Sequence, residues 1–509
     1  MRPRQLHPVR PPVKHRVVRV WLRDLLAGGS VALVLVPQAL AYAELAGLNA
    51  VVGLIAAGLP LIVAAPMASS PYLQTGPTAM IALLTFGILS SLYPAYTPEY
   101  AAAAALLALT VGLIRMGLGL ARFGAVAYFM SQPVMQGFSS AAALLIILSQ
   151  LPAAVGTTTT LPNPTLGFLD TVGHPGRWDP WSIAFTAATV LVVNISQRVS
   201  PLLPGVLATV VLGVIASSLL GYQGPTVGMV DSQWVQLDLI LPWRDLPHLL
   251  LGAMVIAIVG FAEPAAIARA YAGRQAWDPD RELVSQGAAN LVAGALGAFP
   301  VGGSFSRSAL NHAAGAVTRW SGLITGVAVL AVLPFVGLLA ELPKAVLAGV
   351  VIGAVSRLLR LQSLLRLWRY ARLQALTAYI TFLLTLALAP RIDVAVVIGI
   401  GLAIAAHLYR EMDLGIATRQ EGDVLVLRLT GVLWFGSTHL LEECMLELFP
   451  PPDEVVKLRV DATALGRVDL SGALVLDALL SEAERHRLAL DVVGLRPHMK
   501  RVLDRIRES

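Results

Sequence analysis

The sequence predicts an α-helical polytopic membrane protein followed by a small cytoplasmic α/β domain, and three observations carry that prediction. The first is composition. Of 509 residues, 56% are hydrophobic and only 13% charged, with a mean hydropathy of +0.72; soluble proteins carry about 25% charged residues. The second is recurrence: apolar windows of roughly 20 residues repeat from about residue 24 to residue 410, too many for a signal peptide. The third is a change of period after Arg410, where residues 423–429 alternate apolar and polar like a half-buried strand.

The net charge of +6 does not point to nucleic acid, because its placement is local. Lys and Arg crowd positions 2–23, just before the first apolar run, and Arg357, Arg360, Arg366, Arg369 and Arg372 crowd one short connection. Both clusters read as cytoplasmic, lipid-facing anchors under the positive-inside rule. The single Cys444 gives no intramolecular disulfide and no cysteine metal cluster. Lysine is confined to Lys14, Lys344, Lys457 and Lys500, which reads as a GC-rich bacterial genome.

Taken in order, residues 1–20 are a Pro- and Arg-rich tail with an interfacial turn at 17–21. Candidate spans follow at 24–46, 50–65, 76–92, 99–120, 133–151, 181–196 and 202–221. A second set lies at 247–270, 283–298, 305–317, 320–339, 344–356, 373–389 and 393–409. Seven spans per half make the second half enter from the opposite side, the arrangement of an inverted repeat. Arg115, Arg122, Arg198, Arg269, Arg274 and Arg410 fall at ends of even-numbered spans, on the side of the N-terminus. The opposite loops, 152–180 and 222–246, hold Trp178, Trp181, Trp234 and Trp243 as interfacial anchors. Both termini are therefore expected in the cytoplasm.

Each half carries the same anomaly. Near the third span the chain reads Ser69-Ser70-Pro71-Tyr72-Leu73-Gln74-Thr75-Gly76-Pro77-Thr78, and near the tenth Val301-Gly302-Gly303-Ser304-Phe305-Ser306-Arg307. About 227 residues separate the two interruptions, close to the spacing of Gln38 from Glu263. Matched Gly/Pro breaks in corresponding spans point to a transporter's central site, since exposed backbone at that depth needs protein or a water-filled cavity to receive it. Two short extended pieces should feed two half-helices whose N-termini face each other. A helix start offers free N–H groups and about half a positive charge, and Arg307 adds a guanidinium, so the pair makes an anion site.

The tail, 415–509, reads as strand 423–429, helix 438–448, strand 455–460, helix 471–486, strand 489–493 and helix 497–506. It has no Gly-rich phosphate loop and no catalytic triad, and an enzyme is not expected.

Pro37-Gln38-Ala39-Leu40-Ala41-Tyr42-Ala43 with Leu45-Ala46-Gly47-Leu48 resembles the first-span motif of the SulP family of anion transporters. Gly260-Phe261-Ala262-Glu263 with Ala268-Arg269, Glu282-Leu283 and Gly287-Ala288-Ala289-Asn290 is similar to its eighth and ninth spans. Gly303-Ser304-Phe305-Ser306-Arg307-Ser308-Ala309 with Asn311 and Ser321-Gly322 resembles its tenth span and the following turn, and the tail resembles its STAS domain. The resemblance implies fourteen spans in a seven-plus-seven inverted repeat with core and gate domains, where hydropathy alone yields about twelve. It also implies a homodimer, with an anion held between spans three and ten and faced by spans one and eight.

The substrate-binding candidates are accordingly Arg307, the amides at Gly76, Thr78, Ala79, Ser306 and Ser308, the half-helix start Ser304-Phe305, and Gln38 and Tyr42 on the opposite wall. Glu263 and Glu44 are the coupling candidates, because intramembrane carboxylates mark proton or cation relays. Ile267, one turn after Glu263, stands where the family's sodium-using pattern has a hydroxyl, so protons are favoured over sodium. Leu470 in Asp469-Leu470-Ser471-Gly472 departs from the Asp-Ser-Ser-Gly pattern of phosphorylated STAS regulators, which argues against a phospho-switch. No cofactor, metal or nucleic acid is expected. The expectation is a secondary active symporter of an anion such as a C4-dicarboxylate or sulfate in a bacterial inner membrane, against a sodium-coupled bicarbonate symporter, an uncoupled channel or an anion-sensing receptor.

Overall fold

A computed structural model describes residues 13–128, 131–159, 161–200, 202–228, 240–271 and 277–508. Residues 1–12, Trp234 and Arg274, which entered the topology argument, lie outside the described residues. Two compact units divide the chain at Ile400 and Gly401, and each is described by itself.

The first half of unit one contains α1 (Val13–Leu45), α2 (Ala50–Met67), α3 (Ala79–Leu89), α4 (Pro98–Leu120), α5 (Gln132–Ala154), α6 (Pro164–Gly173), α7 (Pro180–Val199) and α8 (Gly205–Leu220). The second contains α9 (Leu246–Tyr271), α10 (Pro279–Ala295), α11 (Phe305–Ala313), α12 (Trp320–Leu330), α13 (Lys344–Val355), α14 (Leu361–Tyr370), α15 (Arg372–Ala387) and α16 (Ile392–Glu411), whose last turns belong to unit two. Local chemistry sets many of the boundaries. Asn49, Thr97, Ser131, Asn163, Asp179 and Asp278 cap the helices that follow them with side-chain oxygens, and Pro sits in the first turn of five of those six. Gly221, left-handed at φ 58°, ends α8.

All fourteen expected spans correspond to helices. Eight described helices, or nine counting the bent pair of α12 with the 3-10 turn Leu333–Leu339, are long and apolar enough to cross a membrane. The others are short (α3, α8, α11, α15) or polar (α10). Two helices were not expected. α6 occupies the loop before α7, and α14 occupies the arginine-rich connection, burying only Leu364 while Leu365, Trp368 and Tyr370 stay exposed. An amphipathic helix with arginines beside an apolar stripe suits a membrane surface, which one-dimensional hydropathy does not report. α1 begins at Val13, inside the segment expected to be loose.

Packing sorts the helices into two sets. α2, α4, α9, α10 and α12 pack among themselves together with α1, and α5, α7, α8, α13 and α15 form the other set, which α1 also touches through α8 and α13. The α4–α10 contact is made by glycines: a Cβ at Gly112 would lie 2.7 Å from the Leu291 amide nitrogen, and one at Gly287 would lie 2.6 Å from that of Met116. Small residues that let backbones meet are what apolar surroundings require of a helix pair.

Unit two, Gly401–Ser509, holds β3 (Gly415–Glu421), β4 (Val424–Leu433), α17 (Thr438–Leu448), β5 (Lys457–Val468), α18 (Leu470–Arg485), β6 (Ala489–Val493) and α19 (Pro497–Glu508). The sheet order is β3-β4-β5-β6, antiparallel for the first pair and parallel for the rest. Leu427, Leu429, Leu458, Val460, Leu476 and Leu479 form its core. β3 is the strand the sequence reading lacks. Gly415-Ile416-Ala417-Thr418-Arg419-Gln420-Glu421 is an exposed edge with no buried face, so it has no alternation to read.

Candidate anion-binding site

The two interruptions meet. β1 (Thr75–Gly76) pairs antiparallel with β2 (Gly302–Gly303), Thr75 opposite Gly303 and Gly76 opposite Gly302. The Ser304 amide extends the ribbon to the Gln74 carbonyl at 3.1 Å. The polar face of α10 brackets both extended pieces. Gln286 Nε2 donates to Thr75 Oγ1 at 2.7 Å, and Asn290 takes the Val301 amide at 2.9 Å while donating to its carbonyl at 3.0 Å. Glu282, fully buried, accepts from the Ser69 amide at 2.9 Å and hydroxyl at 3.0 Å. These contacts satisfy backbone groups that broken spans would otherwise leave bare in apolar surroundings.

From this ribbon α3 and α11 start. The first amides of each helix, at Ala79 and Met80 and at Ser306 and Arg307, have no carbonyl one turn back to receive them. Thr78 caps its own helix through Ile81 N–H at 3.4 Å. Ser304 makes no such cap. Instead Glu263 of α9 accepts the Phe305 amide at 3.0 Å, so a carboxylate from another helix sits at the positive end of α11.

Arg307 is 1% exposed. Its Nη1 donates to the Pro77 carbonyl at 2.8 Å, while Nε and Nη2 are buried without a partner. No ion pair joins it to Glu263 among the described residues. Gly76 lies against it: a Cβ there would stand 3.4 Å from Arg307 Nη2, in ordinary contact. Two unpartnered charged donors beside two helix starts gather N–H groups of the kind that anions bind.

Several expected residues share this place. Gln38 and Tyr42 are buried on α1, which packs against both half-helices, and Gln38 Oε1 has no partner. Thr78 and Ala79 are buried at the start of α3, whereas Phe305 and Ser306 are exposed at the start of α11. The Ser304 and Ser306 hydroxyls lie 3.3 Å apart. Ser308 is corrected: its amide is spent on the Ser304 carbonyl at 3.0 Å and its hydroxyl accepts from the Gln74 amide at 3.0 Å, so it braces the ribbon. Ser308 lies one turn into α11, where helix bonding resumes.

Glu44 is also relocated. Its Oε2 pairs with Lys344 Nζ at 2.9 Å and receives the Tyr96 hydroxyl at 3.1 Å. Tyr96 follows the C-terminus of α3, so Glu44 stands at the far end of that half-helix, roughly 16 Å of helix from Ala79 at 1.5 Å per residue. There it lines an open pocket of about 660 Å³ with Phe86, Ser90, Tyr93 and Thr159. The pair joins α1 to α13, which belong to different packing sets.

Arg115, expected at a cytoplasmic end, is instead fully buried inside α4. Its guanidinium donates to the carbonyls of Ala257 at 3.1 Å, Ile256 at 2.8 Å and Val301 at 2.9 Å. A signal was present: Arg122, two turns later, already closes the span, leaving Arg115 too deep for an anchor. His312 packs edge-on to Tyr72 and stacks on Tyr271, as a structural histidine.

Residues 21–381 match the model of the Sulfate permease family, and residues 416–507 match that of the Mlab, STAS domain. Probable sulfate transporter 4.2 of Arabidopsis thaliana is 32% identical over 456 residues, 83% of this chain and 67% of that protein. The sodium-independent sulfate anion transporter of Bos taurus is 28% identical over 528 residues, 94% of this chain and 85% of its own. In structure, the murine Solute Carrier 26 family member A9 anion transporter in its inward-facing state superposes with a TM-score of 0.87 at 20% identity, covering 98% of this chain and 92% of the other. The transmembrane domain of the cyanobacterial bicarbonate transporter BicA gives 0.66 at 24% identity over 76% and 98%. At these identities the structural likeness speaks to fold.

Proposed function

The chain belongs to the sulfate permease family, and from that premise we propose that it is a secondary active anion transporter, a proton-coupled symporter working by alternating access. The observation that carries this reading is Arg307: a buried guanidinium with two unpartnered donors at the convergence of two half-helix starts. Two helix ends and one arginine sum to roughly +2, counting half a charge per end. A dianion, sulfate or a C4-dicarboxylate, matches that sum, and the relatives named for sulfate favour the dianion class.

Coupling falls to the two carboxylates. Glu263 sits on the positive end of α11, where its charge competes with the anion's. Protonating it removes that competition, so proton and anion bind together. Glu44 holds Lys344 across the two helix sets, a pair that relative movement of those sets would break. The core set would then move against the gate set around the bound ion. The protein lies in a bacterial inner membrane as a homodimer with both termini cytoplasmic.

Full-length protein in liposomes, given radiolabelled sulfate, succinate, fumarate or bicarbonate with and without an inward proton gradient, tests the reading. Dianion uptake driven by the proton gradient supports it. Bicarbonate uptake driven by sodium alone would replace it, and electrical currents far above about 10³ charges per second would point to a channel.

A further inference from the structure

Arg115 is a second buried arginine, and the reading above gives it no task. Its three backbone acceptors are all neutral carbonyls, at Ala257, Ile256 and Val301. No carboxylate pairs with it among the described residues. On the helices packed against α4, the half-buried carboxylate of α9 is Glu263, which takes the Phe305 amide, and the buried one of α10 is Glu282, which holds Ser69. The bracing work does not require a charge. The Val301 carbonyl already receives the neutral amide of Asn290 at 3.0 Å, beside Arg115 Nη1 at 2.9 Å. A full positive charge far from water with no counter-ion is unfavourable unless something negative comes near.

The ribbon's register says where that something binds. Continuing the Gly76–Gly302 pair by one step sets Val301 opposite Pro77, so Arg115 and Arg307 hold, from the two outer edges of the same two-stranded ribbon, the carbonyls of one cross-strand pair. Gly260 makes room for the Arg115 head group, since a Cβ there would lie 2.5 Å from Nη2 and 3.2 Å from Ile81 Cδ1 in the first turn of α3. We propose that Arg115 is a second fixed positive charge of the anion site, acting through the ribbon without touching the anion, and that it sets the preference for dianions over monoanions. This rests on the anion-transport reading. Its effect scales with ligand charge, which a purely structural arginine would not show.

The test is uptake kinetics of full-length protein in liposomes, sulfate against bicarbonate, for wild type, Arg115→Gln and Arg115→Lys. Arg115→Gln is expected to raise the sulfate KM tenfold or more and the bicarbonate KM about threefold, at similar maximal rates, with Arg115→Lys close to wild type at pH 7. Because a buried lysine loses its proton far more readily than arginine, sulfate KM in Arg115→Lys should climb between pH 7 and pH 9 relative to wild type. That profile stands alone if Arg115→Gln does not fold. Equal losses for both anions, an unchanged ratio in Arg115→Gln, or a pH profile in Arg115→Lys parallel to wild type would each overturn the proposal. A wild type that transports only bicarbonate would end the dianion reading, but Arg115→Gln must then still raise the bicarbonate KM with rescue by lysine.

Discussion

The two half-helices are related by position but differ in every feature that meets an ion. α3 starts buried, with its own Thr78 as cap, and carries Ile81 at its third position, the place Arg307 holds in α11. α11 starts exposed, lacks a cap of its own, borrows the Glu263 carboxylate and bears the buried guanidinium. One half is sealed and self-sufficient, while the other depends on partners that can titrate or be displaced. The duplicated fold therefore builds a frame on one side and a responsive surface on the other. The buried guanidinium and the carboxylate at a helix start both belong to the second.

The sharpest way to break this comparison is to make the halves alike. Arg307→Ile should raise the anion KM roughly 10- to 100-fold, the worth of losing charge-assisted hydrogen bonds at about 1.5–3 kcal/mol; wild-type uptake by folded variant would show that the guanidinium of α11 has no part in holding the anion. Next in size, Glu263→Gln keeps an acceptor for the Phe305 amide but cannot titrate. Uptake at neutral pH should persist while acceleration by an inward proton gradient disappears, read from initial rates between pH 5.5 and 7.5. Glu44→Gln should reduce the acid response several-fold and leave equilibrium anion binding unchanged, because Glu44 stands at the far end of α3. A variant with undiminished acid stimulation would remove Glu44 from coupling. The smallest effect concerns the caps: Thr78→Val should destabilise the protein by about 1 kcal/mol and Ser304→Ala by far less, a difference read from thermal unfolding in detergent.

Outside the membrane, titration follows simpler rules. Lys457 and Arg459, 3.0 and 2.8 Å from Asp491, hold its carboxyl below the usual range. A depressed carboxyl stabilises the fold above its unfolded value of about 3.9, and that contribution is lost as pH falls through the folded value. The isolated 401–509 unit should then lose a small, salt-sensitive share of its stability below about pH 4, a share missing in Asp491→Asn.

Much of this was legible in residues. Matched breaks at Gly76 and Gly303 announced paired half-helices, because Gly and Pro interrupt a span wherever they fall. Arg307 stood out as a charge inside a broken span, and the fold buries it with two donors unpartnered. Ser308 was misplaced because donor use depends on whether a turn of helix is already closed. Arg115 was misplaced because an arginine near a span's end reads as an anchor until the fold shows which way it turns. Glu44 lay on the correct helix, but its partner Lys344 is 300 residues away in sequence.

By itself the sequence determined the membrane class and the broken spans, consequences of local hydropathy and backbone chemistry, while the fourteen spans of an inverted repeat came from the family resemblance, since hydropathy alone yields about twelve. Only the tertiary structure decided which donors remain free, that Glu263 caps α11, that Arg115 joins the ribbon and that Glu44 leaves it. Those facts depend on who stands within about 3 Å of whom, and hydrogen bonds of that length are set by packing between segments hundreds of residues apart.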